Sequence, residues 1–205
     1  MTFTAAQPGE GDLFSTAPPD FDLGVVAQFV LTEFGIDGRP QPLASERDQN
    51  VRIVSDQRTV VVKIANRAEQ VAALDLQNAA LRHIERIDPG LAVPRVVLTR
   101  DGADLAVLDG HLVRCVTHLP GRPLAAVPVA DRSSFEPQLG QFVGRLSAAL
   151  VGFAHPAAHR PDFLWNLDAA QQRRRWAASL DWDRSTAWRI GATGTSVRPT
   201  RRRRR

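Results

Sequence analysis

Apolar residues recur at three- and four-residue steps through Leu23, Val26, Phe29, Val30 and Phe34. That spacing predicts an amphipathic helix over residues 20–34, with Asp20 or Asp22 as its cap and Gly35 as its stop. The period then shortens. Residues 42–46, 51–55 and 59–64 read as three extended segments separated by polar turns. The third, Val60-Val61-Val62-Lys63-Ile64, is almost continuously apolar, as in a strand covered on both faces. Helical spacing returns over 67–87, through Val71, Leu74, Ala79, Leu81 and Ile84, and Asp88-Pro89-Gly90 ends it. Three more strands are predicted at 94–99, 104–108 and 112–117. Asp101-Gly102 and Asp109-Gly110 separate them, and Asp-Gly is a strong hairpin signal. Residues 118–123, His-Leu-Pro-Gly-Arg-Pro, form a rigid, non-helical connector. Helical spacing resumes near Ser133, with Leu139, Phe142, Val143, Leu146, Leu150 and Phe153 on one buried face, and a further helix is expected over 162–175.

The order is helix, three strands, helix, three strands, connector, helices. It implies an α+β fold: a small antiparallel sheet crossed by one helix, a linker, then a helical part. A protein-kinase-like small lobe, its hinge and an incomplete helical large lobe have this order. The expected divisions are a flexible N-terminus at 1–19, a small lobe at 20–118, hinge and partial large lobe at 119–183, and a basic irregular tail at 184–205.

Charge first suggests a nucleic-acid partner. The 205 residues carry a net +4 and a pI near 10.7. Its location removes that suggestion. Eight arginines and no acid lie from Arg184 onward, which leaves the preceding residues at −4. The tail can touch nucleic acid or acidic surfaces non-specifically, through Arg201–Arg205 above all. It can also be a solvated tail, or sequence foreign to the fold after a frameshift, and the abrupt loss of acids and of periodicity favours the last. One cysteine excludes a disulfide framework and a multi-cysteine metal site. No apolar run is long enough to span a bilayer and no secretory leader is visible, so the expected setting is cytoplasmic, without a membrane partner.

The same count isolates Lys63. It is the sole lysine among 26 basic residues. A compact ammonium suits a nucleotide's phosphates in a way that arginine's planar fork does not. Such a lysine needs an acid from the following helix, and Asp75 and Glu69 are both there. Ser45-Glu46-Arg47-Asp48-Gln49-Asn50, between the first two strands, is either a plain polar turn or a phosphate cover using backbone amides and the Ser45 hydroxyl. His155 and His159 have helical metal-ligand spacing, but Pro156 interrupts it, so they read as structural or capping residues and no metal site is assigned. Cys115, inside an apolar strand, reads as an inert core thiol, and Trp165, Trp176, Trp182 and Trp188 as packing anchors.

Three stretches together resemble the small lobe of the aminoglycoside phosphotransferase-like kinases: Leu43-Ala-Ser-Glu-Arg-Asp-Gln-Asn50, Val60-Val-Val-Lys-Ile-Ala-Asn66 and Leu74-Asp-Leu-Gln-Asn-Ala-Ala-Leu81. Val113-Arg-Cys-Val-Thr-His-Leu-Pro-Gly-Arg-Pro123, His155-Pro156, His159-Arg160 and Asp162-Phe-Leu-Trp-Asn-Leu167 are similar to the hydroxylysine kinase branch. That branch also includes bacterial proteins in which such a kinase domain precedes a class III aminotransferase. The resemblance spans about residues 20–167. It implies ATP- or GTP-dependent phosphorylation, with Mg, of a small hydroxylated amine such as hydroxylysine or an aminoglycoside-like substrate. Lys63 matches the phosphate-binding lysine and Asp75 its acidic partner, with Glu69 as the fallback. Val116, Thr117, His118 and Leu119 match the hinge that bonds the nucleobase.

The family's His-Gly-Asp catalytic loop, its following Asn and its metal-binding Asp have no match in these 205 residues. Asp109-Gly110-His111 has the reverse order and sits in a hairpin. The expectation is therefore a truncated kinase fragment with no catalytic residue of its own. The competing expectation is a non-catalytic, pseudokinase-like binding module with an arginine-rich tail.

Overall fold

The computed structural model describes residues 16–123, 127 and 135–159. The helix expected over 162–175, the four tryptophans and the basic tail lie outside the described residues. Helix α1 runs Leu23–Phe34. The Asp22 carboxylate accepts from the backbone N–H groups of Gly24 and Val25, at 2.7 and 3.3 Å, so the second of the two candidate caps is the one used. Gly35 takes the left-handed conformation (φ +67°), and its N–H returns to the Leu31 carbonyl.

Three strands follow as a meander: β1 Arg39–Leu43, β2 Gln49–Val54 and β3 Thr59–Ile64. Helix α2 is Val71–Ile87. Then come β4 Val96–Val97, β5 Ala106–Leu108 and β6 His111–Thr117. Helix α3 spans Phe135–Ala149, and Pro156–Ala158 form one 3₁₀ turn. Every strand pairing is antiparallel, in the order β1-β2-β3-β6-β4, with β5 also on β6. The fold is α+β, as its element order implies.

The sheet has two unlike faces. Val51 and Ile53 of β2, Val60, Val62 and Ile64 of β3, and Val113 and Cys115 of β6 form one core with Val26, Val30 and Phe34 of α1. The alternate residues point the other way: Asn50, Arg52, Val61, Lys63 and Arg114. So β3 is not covered on both faces, contrary to its near-continuous apolar run. Its burial alternates, and Val61 and Lys63 are only half-buried. The doubly covered strand is β6, which is buried without a break from Val113 to Val116. It is central: β3 lies on one edge, and β4 and β5 lie end to end on the other.

Other departures from the sequence expectation have local causes. Asp109 and Gly110 both have positive φ (45° and 77°), the pair that a tight hairpin between β5 and β6 needs. Asp101-Gly102 makes a turn but no hairpin, because β4 and β5 each pair with β6 rather than with each other. Helix α2 begins at Val71, not at residue 67. The Asn66 side chain accepts from the Ala68 N–H and its carbonyl from the Glu69 N–H, a local turn that competes with helix. Residues 16–19 are not loose. Asn66 Nδ2 donates to the Thr16 and Ala17 carbonyls, at 3.1 and 3.2 Å, and Pro19 is buried.

Helix α3 sets Phe142, Leu146 and Ala149 against Leu81, Ile84, Leu91 and Val93, a second and smaller core. Leu139 and Val143, expected on the same buried face, are 44% and 49% exposed. Arg145 clamps α3 to the end of α2 through both Asp88 carboxylate oxygens, at 2.9 and 2.7 Å.

Candidate nucleotide-binding site

The polar face of the sheet gathers the candidate residues. Lys63 on β3 stands opposite Asn50 on one side and Arg114 on the other. Directly opposed residues of an antiparallel pair share a face, with Cβ atoms about 5 Å apart. The Lys63 ammonium makes no hydrogen bond or ion pair among the described residues. Burial holds its ammonium below the ordinary lysine value, the Arg114 charge lowers it further, and Asp48 acts in the opposite sense.

The acids are not where the sequence placed them. Asp75, the expected partner, is held by His155: Nε2 donates to Oδ2 at 3.1 Å. Nδ1 of the same ring accepts from the Ala157 N–H and caps the 3₁₀ turn, so His155 has the structural role its broken spacing suggested. Glu69, the fallback, pairs with Arg47 at 3.5 Å. The carboxylate whose field reaches Lys63 is Asp48, in the five-residue connection 44–48 between β1 and β2. Its Oδ1 accepts from the Asn66 N–H at 3.2 Å. Asn66 Nδ2 lies 3.4 Å from the Arg47 carbonyl, so one buried amide fixes the connection and the N-terminal segment together. Ser45 is exposed on this connection, and its hydroxyl reaches only the Leu43 carbonyl, at 3.5 Å.

The four hinge residues are not equivalent. Val116 is buried opposite Val61 and Val96 within the sheet. The Thr117 N–H donates to the Arg95 carbonyl at 2.9 Å, and the His118 N–H to the Thr59 carbonyl at 3.0 Å. The His118 carbonyl and the Leu119 N–H have no partner among the described residues. These two groups belong to one trans peptide and point opposite ways, so a nucleobase edge can engage one of them and not both.

Sequence reasoning missed Arg114. It is 7% exposed, its Nη1 donates to Asn78 Oδ1 at 3.3 Å, and its Nη2 donates to Gln77 Oε1. Helix α2 is thus fastened to the sheet through neutral amides. The available signal was a charge inside the apolar run Val113-Arg114-Cys115. A cavity of about 380 Å³ under residues 16–21, lined by Arg67 and His111, shares no residue with this site.

The residues present fit a polyphosphate. One ammonium without a partner stands beside a buried guanidinium bonded only to amides. Among the described residues, no three His, Cys, Asp or Glu side chains come close enough together to hold a metal ion. No helix of the described residues is long and apolar enough to cross a membrane.

The sequence matches the model of the phosphotransferase enzyme family over residues 39–198. The chain belongs to that family. It is 26% identical to Mus musculus hydroxylysine kinase over 193 residues, covering 83% of this chain and 50% of the relative. Against Bos taurus hydroxylysine kinase the identity is 28% over 189 residues, covering 82% and 49%. The chain therefore spans about half the length of the curated relatives it matches. Among solved structures, an amicoumacin kinase, hAmiN, in complex with AMP-PNP and Ca²⁺ superposes with a TM-score of 0.59 at 16% identity, covering 75% of this chain and 48% of that one. A microcompartment-associated aminopropanol kinase gives 0.54 at 18%, covering 75% and 48%. These similarities show the fold: the family's small-lobe architecture.

Proposed function

We propose that this chain is the nucleotide-binding half of a small-molecule kinase. ATP or GTP would lie against the polar face of the sheet, its base against the backbone of the hinge at 116–119 and its phosphates on Lys63. The connection carrying Ser45 would cover the phosphates. The observation that carries the reading is Lys63, a half-buried ammonium on a strand interior with no partner among the described residues. A buried cation left without a counter-charge is costly unless a ligand supplies one.

The reaction served is transfer of a terminal phosphoryl group to a small hydroxylated amine, the chemistry for which the hydroxylysine and aminopropanol kinases are named. The His-Gly-Asp loop and its Asn are absent from these 205 residues, and with them the Asp that in the family would orient the acceptor hydroxyl. Loss of general-base help alone costs about 10²–10⁴ in rate. The expected behaviour is nucleotide binding without efficient transfer.

Isothermal titration with Mg-ATP and Mg-GTP tests the binding. Lys63→Ala is expected to weaken the preferred nucleotide by at least about tenfold, the effect of losing one charge-assisted contact. Equal affinity in wild type and variant would remove Lys63 from the site. Phosphorylation of hydroxylysine by this chain at about 1–100 s⁻¹, the ordinary kinase range, would overturn the expectation of inefficient transfer.

A further inference from the structure

We propose that Arg114 is a second anion-binding residue, acting beside Lys63 on the polyphosphate of the bound nucleotide. The proposal rests on the nucleotide-site reading above and assigns it a residue on another strand. Arg114 and Lys63 are directly opposed across β3 and β6. Like charges in that position repel, and arginine is almost never buried without a carboxylate. No carboxylate lies within 4 Å of either charge among the described residues. Of the nearby acids, Glu69 is paired with Arg47, Asp75 with His155 and Asp104 with Arg82, while Asp48, whose field reaches both cations, stays more than 4 Å from each.

The residue is nevertheless only 7% exposed, and its Nε, fully buried, has no acceptor. Gln77 and Asn78 satisfy two of its donors but none of its charge. Fastening α2 to the sheet would need only a neutral donor. A full charge is not needed for that task, and an ion taken out of water without a close counter-charge is strongly penalised. A polyanion reaching both residues removes the repulsion and the deficit together. The two side chains also divide the work. Lysine presents a point charge and arginine a planar fork, so two linked phosphates fit the pair better than one.

The test uses the full chain, with Mg-ATP, adenosine and inorganic tripolyphosphate as separate titrants. Arg114→Gln is expected to weaken Mg-ATP and tripolyphosphate by about 10–100-fold, the effect of one charge-assisted pair, and to change adenosine by less than about twofold. A purely structural role would weaken ATP and adenosine alike, and an unchanged ATP-to-adenosine ratio overturns the proposal. If wild type binds neither ATP nor adenosine, the nucleotide reading fails. Tripolyphosphate then tests the two-cation site alone: binding lost in Arg114→Gln supports it, and no binding to wild type overturns it. Should Arg114→Gln fail to fold, the wild-type Arg114 ¹⁵Nε resonance, identified by its absence in Arg114→Lys, carries the decision. It is expected to shift on saturation with tripolyphosphate, and a stationary resonance refutes the contact.

Discussion

Asn66→Ala is the substitution for which the structure specifies the largest local loss. Asn66 is 1% exposed, and its side-chain hydrogen bonds set the scale of the effect. Its Oδ1 accepts from the Ala68 N–H at 3.0 Å, and Ala68 is itself buried. Removing that acceptor leaves a buried donor unmade, at about 1–3 kcal/mol. Its Nδ2 supports the Thr16 and Ala17 carbonyls. Ala17 is exposed and Thr16 half-exposed, so water recovers part of that loss and about 0.5–1 kcal/mol remains. The 3.4 Å contact to the Arg47 carbonyl adds little. The sum is about 1.5–4 kcal/mol, or about 3–16 °C in melting temperature for a chain of this size. Urea unfolding measures it, with the slope expected to stay constant. Asn66→Asp is expected to be at least as damaging, because its second oxygen faces three carbonyls rather than donating to them. A loss below about 0.5 kcal/mol for Asn66→Ala would refute the reasoning, since surface substitutions of no consequence fall in that range. Weaker nucleotide binding should accompany the loss of stability, because Asn66 also fixes the connection that carries Asp48.

Three further outcomes are expected. Lys63 is held below its ordinary value of 10.5 by burial and by Arg114, so its charged form destabilises the native state at neutral pH; Lys63→Met should stabilise the ligand-free chain at pH 7, with the gain shrinking as pH rises from that lowered value through 10.5, and urea midpoints that keep a constant gap across this window would count against it. Asp88 is held below its ordinary 3.8 chiefly by its hydrogen bond from Arg145, so the clamp on α3 is complete above 3.8 and is lost as pH falls through the lowered value; amide-exchange protection over 135–149 should drop there, and Asp88→Asn should abolish that pH step. Burial pushes the Cys115 thiol up to about 12, so at pH 8 only about one thiol in 10⁴ is ionised; labelling by a thiol reagent should track global unfolding, and rapid labelling of native protein would contradict its burial.

The apolar half of the fold was legible because its signal is local. Val26, Val30 and Phe34 share a helix face, and Val60, Val62 and Ile64 share a strand face, so each element can be read from a short window. The polar half was legible only in part. Lys63 stood out by composition, and the hinge by its connector. Which acid faces Lys63 depends on how the 44–48 connection folds back over β3, and a buried amide at Asn66 decides that. The helical spacing that offered Asp75 was sound, but a partner 80 residues further on takes it. Leu139 and Val143 show the same limit. They repeat at helical spacing with Leu146, yet α2 offers a surface only to the adjacent row.

The near-continuous run in β3 and the single charge in β6 misled in opposite directions, and one cause accounts for both. Strands β3 and β6 are both interior to the sheet, and a face of either is buried only where another layer lies over it. Helix α2 reaches β6, through Gln77 and Asn78, and leaves Lys63 half-open beside it. The open position therefore carries the flexible point charge, which a ligand can reach at little cost in reorganisation. The closed position carries the rigid fork, already oriented by two amides. In a chain with 25 arginines, the one lysine stands at the position where a second guanidinium would be opposed to a first. That placement follows from the geometry of two adjacent strands, and the arginine-rich composition only makes it visible.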